Sequence, residues 1–150
     1  MKLIAHRGNW KGRVEELENS LFLLDNAICK GFDVEVDVWK LDDDLFFGHN
    51  GPEIPVSAGI IQLLSPYAWF HAKNYQALEF LLGEGHHVFT HDQDEYTITS
   101  KGIVWAYSGK FVGPKGIACM PESTPGFIVP ENAYGVCSDD LRPFITTALL

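Results

Sequence analysis

The segment Asp33-Val34-Glu35-Val36-Asp37-Val38-Trp39 alternates valine with acid at every step, and alternation with period two is the pattern of a β-strand with two different faces. Val34, Val36 and Val38 belong against an apolar layer. Asp33, Glu35 and Asp37 line the other face, where neighbours stand roughly 6.6 Å apart along the backbone. Two carboxylates at that spacing can share one small cation. Left without a cation or basic partners they repel, and one is driven toward its neutral form. A chain containing this strand must therefore either leave its acidic face in water or build a charged pocket over it.

The surrounding sequence supplies material for a pocket. Leu3-Ile4-Ala5 reads as a short buried strand ending at His6-Arg7-Gly8. A helix follows, capped by Asn19 or Ser20 and stopped by Gly31, with Leu21, Leu24, Ala27 and Ile28 at helical spacing. After the acidic strand, Asp42-Asp43-Asp44 turns the chain into a hairpin return through Phe47, and His49 sits in the glycine-rich loop beyond. Ala58 to Leu64 and Tyr75 to Leu82 read as helices flanking a strand from Ala68 to Lys73. Further strands are read at His87–Thr90, Ile103–Tyr107, Ile117–Met120 and Tyr134–Cys137, before a C-terminal helix containing Leu141 and Ile145. Strand, loop or helix, strand is the rhythm of parallel pairing. The expected fold is thus α/β: a single domain over residues 1–150, a shortened TIM-type (β/α) barrel of about seven or eight parallel strands.

Polar residues gather after most of these strands: His6, Asp37, Lys73, Asp92, Glu122 and Asp139. Arg7 offers a fork for two phosphate oxygens, and His6 and His49 can trade protons near neutrality. His71 and Lys73 share a strand face, one a metal ligand by type and the other a partner for phosphoryl charge. His86, His87, His91, Asp92 and Asp94 form a polar cluster with no defined ligand spacing. Trp105 and Tyr107 share a face and read first as core packing.

Composition narrows the class. The net charge of −9 argues against a phosphate-backbone binder, so no nucleic-acid partner is expected. Cys29, Cys119 and Cys137 are odd in number and form no paired motif, which fits a reducing, cytoplasmic setting. No run approaches membrane-spanning length. A short barrel with incomplete helical cover would also gain from pairing with itself as a homo-oligomer.

In order, His6-Arg7-Gly8, Glu18-Asn19-Ser20, Glu35-Val36-Asp37, Gly48-His49 and His71-Ala72-Lys73 resemble the motif series of the glycerophosphodiester phosphodiesterases, within the phospholipase-C-like phosphodiesterase superfamily. The resemblance covers the first half of the chain. It implies metal-dependent cleavage of a small-molecule or headgroup phosphodiester. His6 and His49 match the general acid/base pair, Arg7 and Lys73 the phosphate-binding cations, and Glu18 a further substrate-site acid. Glu35 and Asp37 match two metal ligands, with His71 where the family has a third carboxylate. One divalent cation is implied, Mg²⁺, Ca²⁺ or Mn²⁺, with the nitrogen of His71 favouring a softer ion. The family's usual insertion after the His49 loop is replaced here by only the stretch from Asn50 to Tyr67. A phosphate-binding module without turnover, and a lyase releasing a cyclic phosphate, stand as alternatives to hydrolysis.

Overall fold

A computed structural model describes residues 1–145. The described chain forms ten strands and three α-helices. In order these are β1 (Lys2–Ala5), α1 (Leu21–Cys29), β2 (Asp33–Leu41), β3 (Asp44–Phe47), β4 (Ile54–Val56), α2 (Ala58–Leu64), β5 (Ala68–Ala72), α3 (Tyr75–Gly83), β6 (Val88–Phe89), β7 (Tyr96–Ile98), β8 (Val104–Ala106), β9 (Gly116–Cys119) and β10 (Gly135–Ser138).

Seven strands run parallel in the spatial order β6-β5-β2-β1-β10-β9-β8. Strand β7 lies antiparallel on β8, and the outer half of β2 bends into the antiparallel hairpin β2–β3–β4. The expected TIM-type (β/α) barrel is therefore corrected to a mixed, curled half-barrel. Its edge strands β6 and β8 share no ladder among the described residues. Their meeting is made by side chains, with Phe89 stacked on Trp105 at 4.3 Å between centroids. Beneath that stack Ser100 clasps Val88, its N–H donating to the Val88 carbonyl at 2.8 Å and its hydroxyl accepting from the Val88 N–H at 3.0 Å.

The reason lies in the connectors. Helices α1, α2 and α3 all precede β6, and the described chain beyond it has no α-helix. The links from β8 to β9 and from β9 to β10 carry Gly109, Gly113, Pro114, Pro121, Pro125, Gly126 and Pro130, a density of helix breakers that prevents a helical crossover. Loop residues take the place of helices instead: Val112, Phe127, Val129 and Ala133 join the core cluster over the outer face of β8–β10. The expected C-terminal helix is a 3-10 turn over Arg142–Phe144, and its continuation lies outside the described residues. No described helix is long and apolar enough to cross a membrane.

Period-two alternation decides what fills each face. Val34, Val36 and Val38 are fully buried against a layer that includes Leu24, Ala27, Ile61, Ala77 and Leu81 from the helices, each worth about 2 kcal/mol of apolar burial. The inner face holds a second cluster of Ile4, Trp69, Phe89, Trp105, Ile117 and Cys137. Ser20 caps α1, its hydroxyl accepting from the Leu23 N–H, and Asn74 caps α3 in the same way toward Ala77. Asp33 stands at the N-terminal end of β2, taking the Trp69 indole N–H at 3.0 Å and the Lys2 ammonium at 3.0 Å. It is a structural acid, separate from the other two carboxylates of its face.

Candidate active site

Strands β1, β2 and β5 and the loop after β3 place six charged or imidazole side chains around one cavity. Its volume is about 500 Å³, and His6, Arg7, Glu35, His49, His71 and Lys73 are among its lining residues. On β2, Glu35 and Asp37 are almost fully buried, at 2% and 1% exposure. In the parallel register His71 of β5 lies directly beside Asp37. His71 Nδ1 is 3.0 Å from Asp37 Oδ1 and 3.7 Å from Glu35 Oε1. One donor atom from each of the three residues lies within 4.8 Å of the other two.

These residues fit a divalent cation. Asp37 Oδ1 is buried without a well-formed hydrogen bond. His71 Nε2 faces the His91 carbonyl at 3.4 Å, and donation there leaves the Nδ1 lone pair directed at the carboxylates, as a neutral imidazole ligand requires. Two carboxylate oxygens and one imidazole nitrogen form a mixed donor set that suits Mn²⁺ or a softer ion better than Ca²⁺.

The acids respond differently to burial. Glu35 is pushed up by desolvation and then by the charge of Asp37, despite the opposing pull of His6, His71 and Arg7. For Asp37 desolvation is again the largest influence, but the contacts with His49 and His71 and the charge of Arg7 overcome it and hold the carboxyl well below its usual range. The Asp37–His49 contact is 3.4 Å from Oδ2 to Nδ1, and His49 Nδ1 has no well-aligned partner. It is a close approach and not a formed hydrogen bond.

Arg7 occupies a left-handed backbone conformation, φ 52°, which costs a non-glycine residue about 1–2 kcal/mol. That conformation turns its N–H onto Glu35 Oε2 at 3.1 Å. Gly8 follows at φ 87°, where an added Cβ would meet the α1 backbone at Leu23 and Leu24 at 3.0 Å, so this corner closes only with glycine. The Arg7 guanidinium is held by Glu18 at 2.8 Å, by Asp37 at 3.2 Å and by His49 Nε2 at 3.2 Å. Glu18 therefore stands behind Arg7, bound also by Arg13 at 2.7 Å, and is not part of the cavity lining. Lys73 Nζ is 3.7 Å from Asp37 Oδ1.

His6 Nδ1 donates to Asp139 Oδ1 at 2.8 Å, leaving Nε2 toward the cavity, 3.9 Å from Glu35 Oε2. Burial alone would lower the His6 pKa, but the Asp139 hydrogen bond and the Glu35 charge raise it to about 9.

Several residues of the site were not assigned to it from sequence. Asp139 directly follows the last strand, as His6 follows the first, and that placement is a usable signal. Asn19, expected only as a helix cap, is buried at φ 61° and brackets Asp37. Its Nδ2 donates to Oδ2 and its Oδ1 accepts from the Asp37 N–H, both at 3.0 Å. The histidine-rich cluster disperses. His86 bonds Ser65, His87 bonds Thr99, and His91 stacks on His71 at 4.6 Å in the cavity wall. Trp105 packs in the inner core with one edge on the cavity. Cys119 lies on the same wall, beside Cys137 of the neighbouring strand in the parallel ladder.

A scan against protein-family models, a search of curated proteins and a search of solved structures each found no match to this chain.

Proposed function

We propose that the chain is a divalent-metal-dependent phosphodiesterase, and a shortened relative of the glycerophosphodiester phosphodiesterases. The observation that carries the proposal is the convergence of Glu35, His71, His6, His49, Arg7 and Lys73 on one cavity, with Asp37 buried against His71, Arg7 and Lys73 just behind its wall. The reading rests on these side chains and not on the fold, which is not the closed barrel of that family.

Glu35, Asp37 and His71 would hold the cation, which supplies polarisation of a phosphate oxygen and a more acidic bound water or hydroxyl. Arg7 and Lys73, already beside Asp37, provide cationic partners for charge growing on the phosphoryl oxygens. Asp139 fixes His6 with Nε2 as its working nitrogen, the same orienting role a carboxylate plays behind a catalytic imidazole. His6 and His49 share the two proton transfers, one from the nucleophile and one to the leaving oxygen. The substrate class is a small phosphodiester that fits the cavity, and we place the activity in the cytoplasm, where the three free thiols stay reduced.

The test is turnover of bis(p-nitrophenyl) phosphate with Mg²⁺, Ca²⁺, Mn²⁺ and Zn²⁺ in turn. Turnover with at least one ion, abolished in His6→Ala and in Asp37→Asn, is expected. A folded protein inactive with all four ions would overturn the proposal. One observation favours a phosphate-binding module without turnover: the third ligand position is an imidazole, His71, so the donor set carries one negative charge fewer than three carboxylates would. Phosphate binding unchanged by His6→Ala and His49→Ala, with no turnover, would select it. Phosphorus NMR of the products distinguishes hydrolysis from release of a cyclic phosphate.

A further inference from the structure

Two thiols on the inner face have no part in the chemistry above. Cys119 ends β9 and Cys137 lies directly beside it in β10, the two being partners in the parallel ladder. Adjacent strands are about 4.8 Å apart, inside the span of about 4.4–6.8 Å that a disulfide accepts between Cα atoms. Both side chains point into the curl. Cys137 is fully buried among Ile4, Trp69, Phe89, Trp105 and Ile117. Cys119 packs on the same cluster but also lines the cavity, so one sulfur of the pair is reachable from solvent. The ladder register sets the two thiols side by side on one face of the sheet. On the same wall the Trp105 indole N–H is buried, at 2% residue exposure, with no well-formed hydrogen bond.

We propose that Cys119 and Cys137 form an oxidisable dithiol in the cavity wall, with Cys119 meeting a hydroperoxide and Cys137 resolving the product. The Cys119 sulfur attacks the outer peroxide oxygen. The O–O bond breaks, the alkoxide or hydroxide takes up the thiol proton and leaves as alcohol or water, and Cys119 becomes a sulfenic acid. The Cys137 sulfur then attacks the Cys119 sulfur. The S–S bond forms, the S–O bond breaks, and the departing hydroxide leaves as water with the Cys137 proton. The dithiol has lost two electrons and the peroxide has gained them. A thiol reductant reverses the change by exchange. Cys137 is two residues before Asp139, which anchors His6, so the oxidised bridge bears on the end of β10 that orients the site histidine.

The experiment uses the full chain carrying Cys29→Ser, since Cys29 is the exposed third thiol. The protein is exposed to hydrogen peroxide, quenched, alkylated after denaturation and weighed intact. The expected product takes no alkyl group, is lighter than the dithiol by two hydrogen atoms, and regains two alkylatable thiols after dithiothreitol. Adding Cys137→Ser should instead leave a Cys119 sulfenic acid that dimedone traps. Two alkylated thiols after peroxide exposure, or independent over-oxidation of both, would overturn the proposal. Should the serine variant fail to fold, the mass of the Cys29→Ser protein decides alone. The readout is a mass, so it stands or falls separately from phosphodiester turnover.

Discussion

Mild acid should weaken this fold in part through an imidazole remote from the cavity, alongside His91 in the cavity wall. His87 is 8% exposed, lies against Trp69 at 4.1 Å between ring centroids, and has Nε2 2.8 Å from Thr99 Oγ1. The Ile103 N–H already donates to that hydroxyl, so the threonine proton is free to satisfy a neutral His87. Burial, followed by the charge of Lys101, lowers the His87 pKa from 6.5 to about 4, against the pull of Asp33. The unfolded chain therefore takes up its proton first as pH falls. The stability this site contributes is complete above the unfolded value and is lost as pH drops from 6.5 toward 4. Integrating the linkage between pH 7 and pH 5 gives a loss of at most about 2 kcal/mol. With a urea m-value of about 2 kcal/mol/M, the unfolding midpoint falls by about 1 M over that range. The assay is urea unfolding in metal-free buffer at both pH values, for the native chain and for His87→Gln, which keeps a polar group at Thr99 but does not titrate. Subtracting the two pH dependences cancels the other titrating groups. His6 acts in the opposite window: its raised pKa stabilises the fold below 6.5, an effect lost as pH climbs toward about 9. Equal losses in the two proteins between pH 7 and pH 5 would refute the assignment of acid sensitivity to His87.

Mn²⁺ at about a hundred times its dissociation constant should stabilise the fold by about 2.7 kcal/mol, raising the melting temperature by about 5–10 °C. Differential scanning fluorimetry should show that shift vanish in His71→Ala. Asn19→Ala strips Asp37 of two buried hydrogen bonds and should cost about 3 kcal/mol in urea unfolding. Asn19→Gly should be milder by about 1 kcal/mol, because glycine accepts the left-handed backbone. Gly48→Ala would set its Cβ 2.2 Å from the Gly51 carbonyl oxygen and should cost about 2 kcal/mol or more. Since Trp39 donates to the Gly48 carbonyl at 2.8 Å, its fluorescence should report the displacement of the His49 loop.

Local signals in the first half of the chain translated well into structure. The valine–acid alternation put Val34 and Glu35 on opposite faces, Ser20 and Gly31 bounded the first helix, and the acidic turn returned the chain as a hairpin. The same alternation brought Glu35, Asp37 and His71 together, because strand register multiplies a period-two pattern across neighbouring strands. Closure was the failure. The strand rhythm predicts parallel pairing but not closure: with Gly109, Pro114, Pro121, Pro125 and Pro130 in the last two links, no helical layer forms there to complete a (β/α) barrel. Short strands were missed where composition speaks against them: Pro55 sits inside β4, and β7 is only Tyr96-Thr97-Ile98. Asn19 was hidden for another reason. An asparagine before a helix is fully explained as a cap, and nothing local tells that its amide instead reaches a carboxylate eighteen positions away.

The Phe89–Trp105 stack has a consequence for motion. One edge of that junction continues into the stacked rings of His71 and His91, so a residue proposed to hold a cation also belongs to the least laced margin of the sheet. Ring faces can slide apart without unzipping a ladder, whereas β2 and β5 are tied along five register pairs. Transient breathing should therefore begin at β7 and β8, with their amides exchanging ahead of those in β2. Because linkage is reciprocal, an ion that immobilises His71 should slow that breathing, and an opened margin should loosen its grip on the ion. Occupancy and closure would then be two readings of one equilibrium.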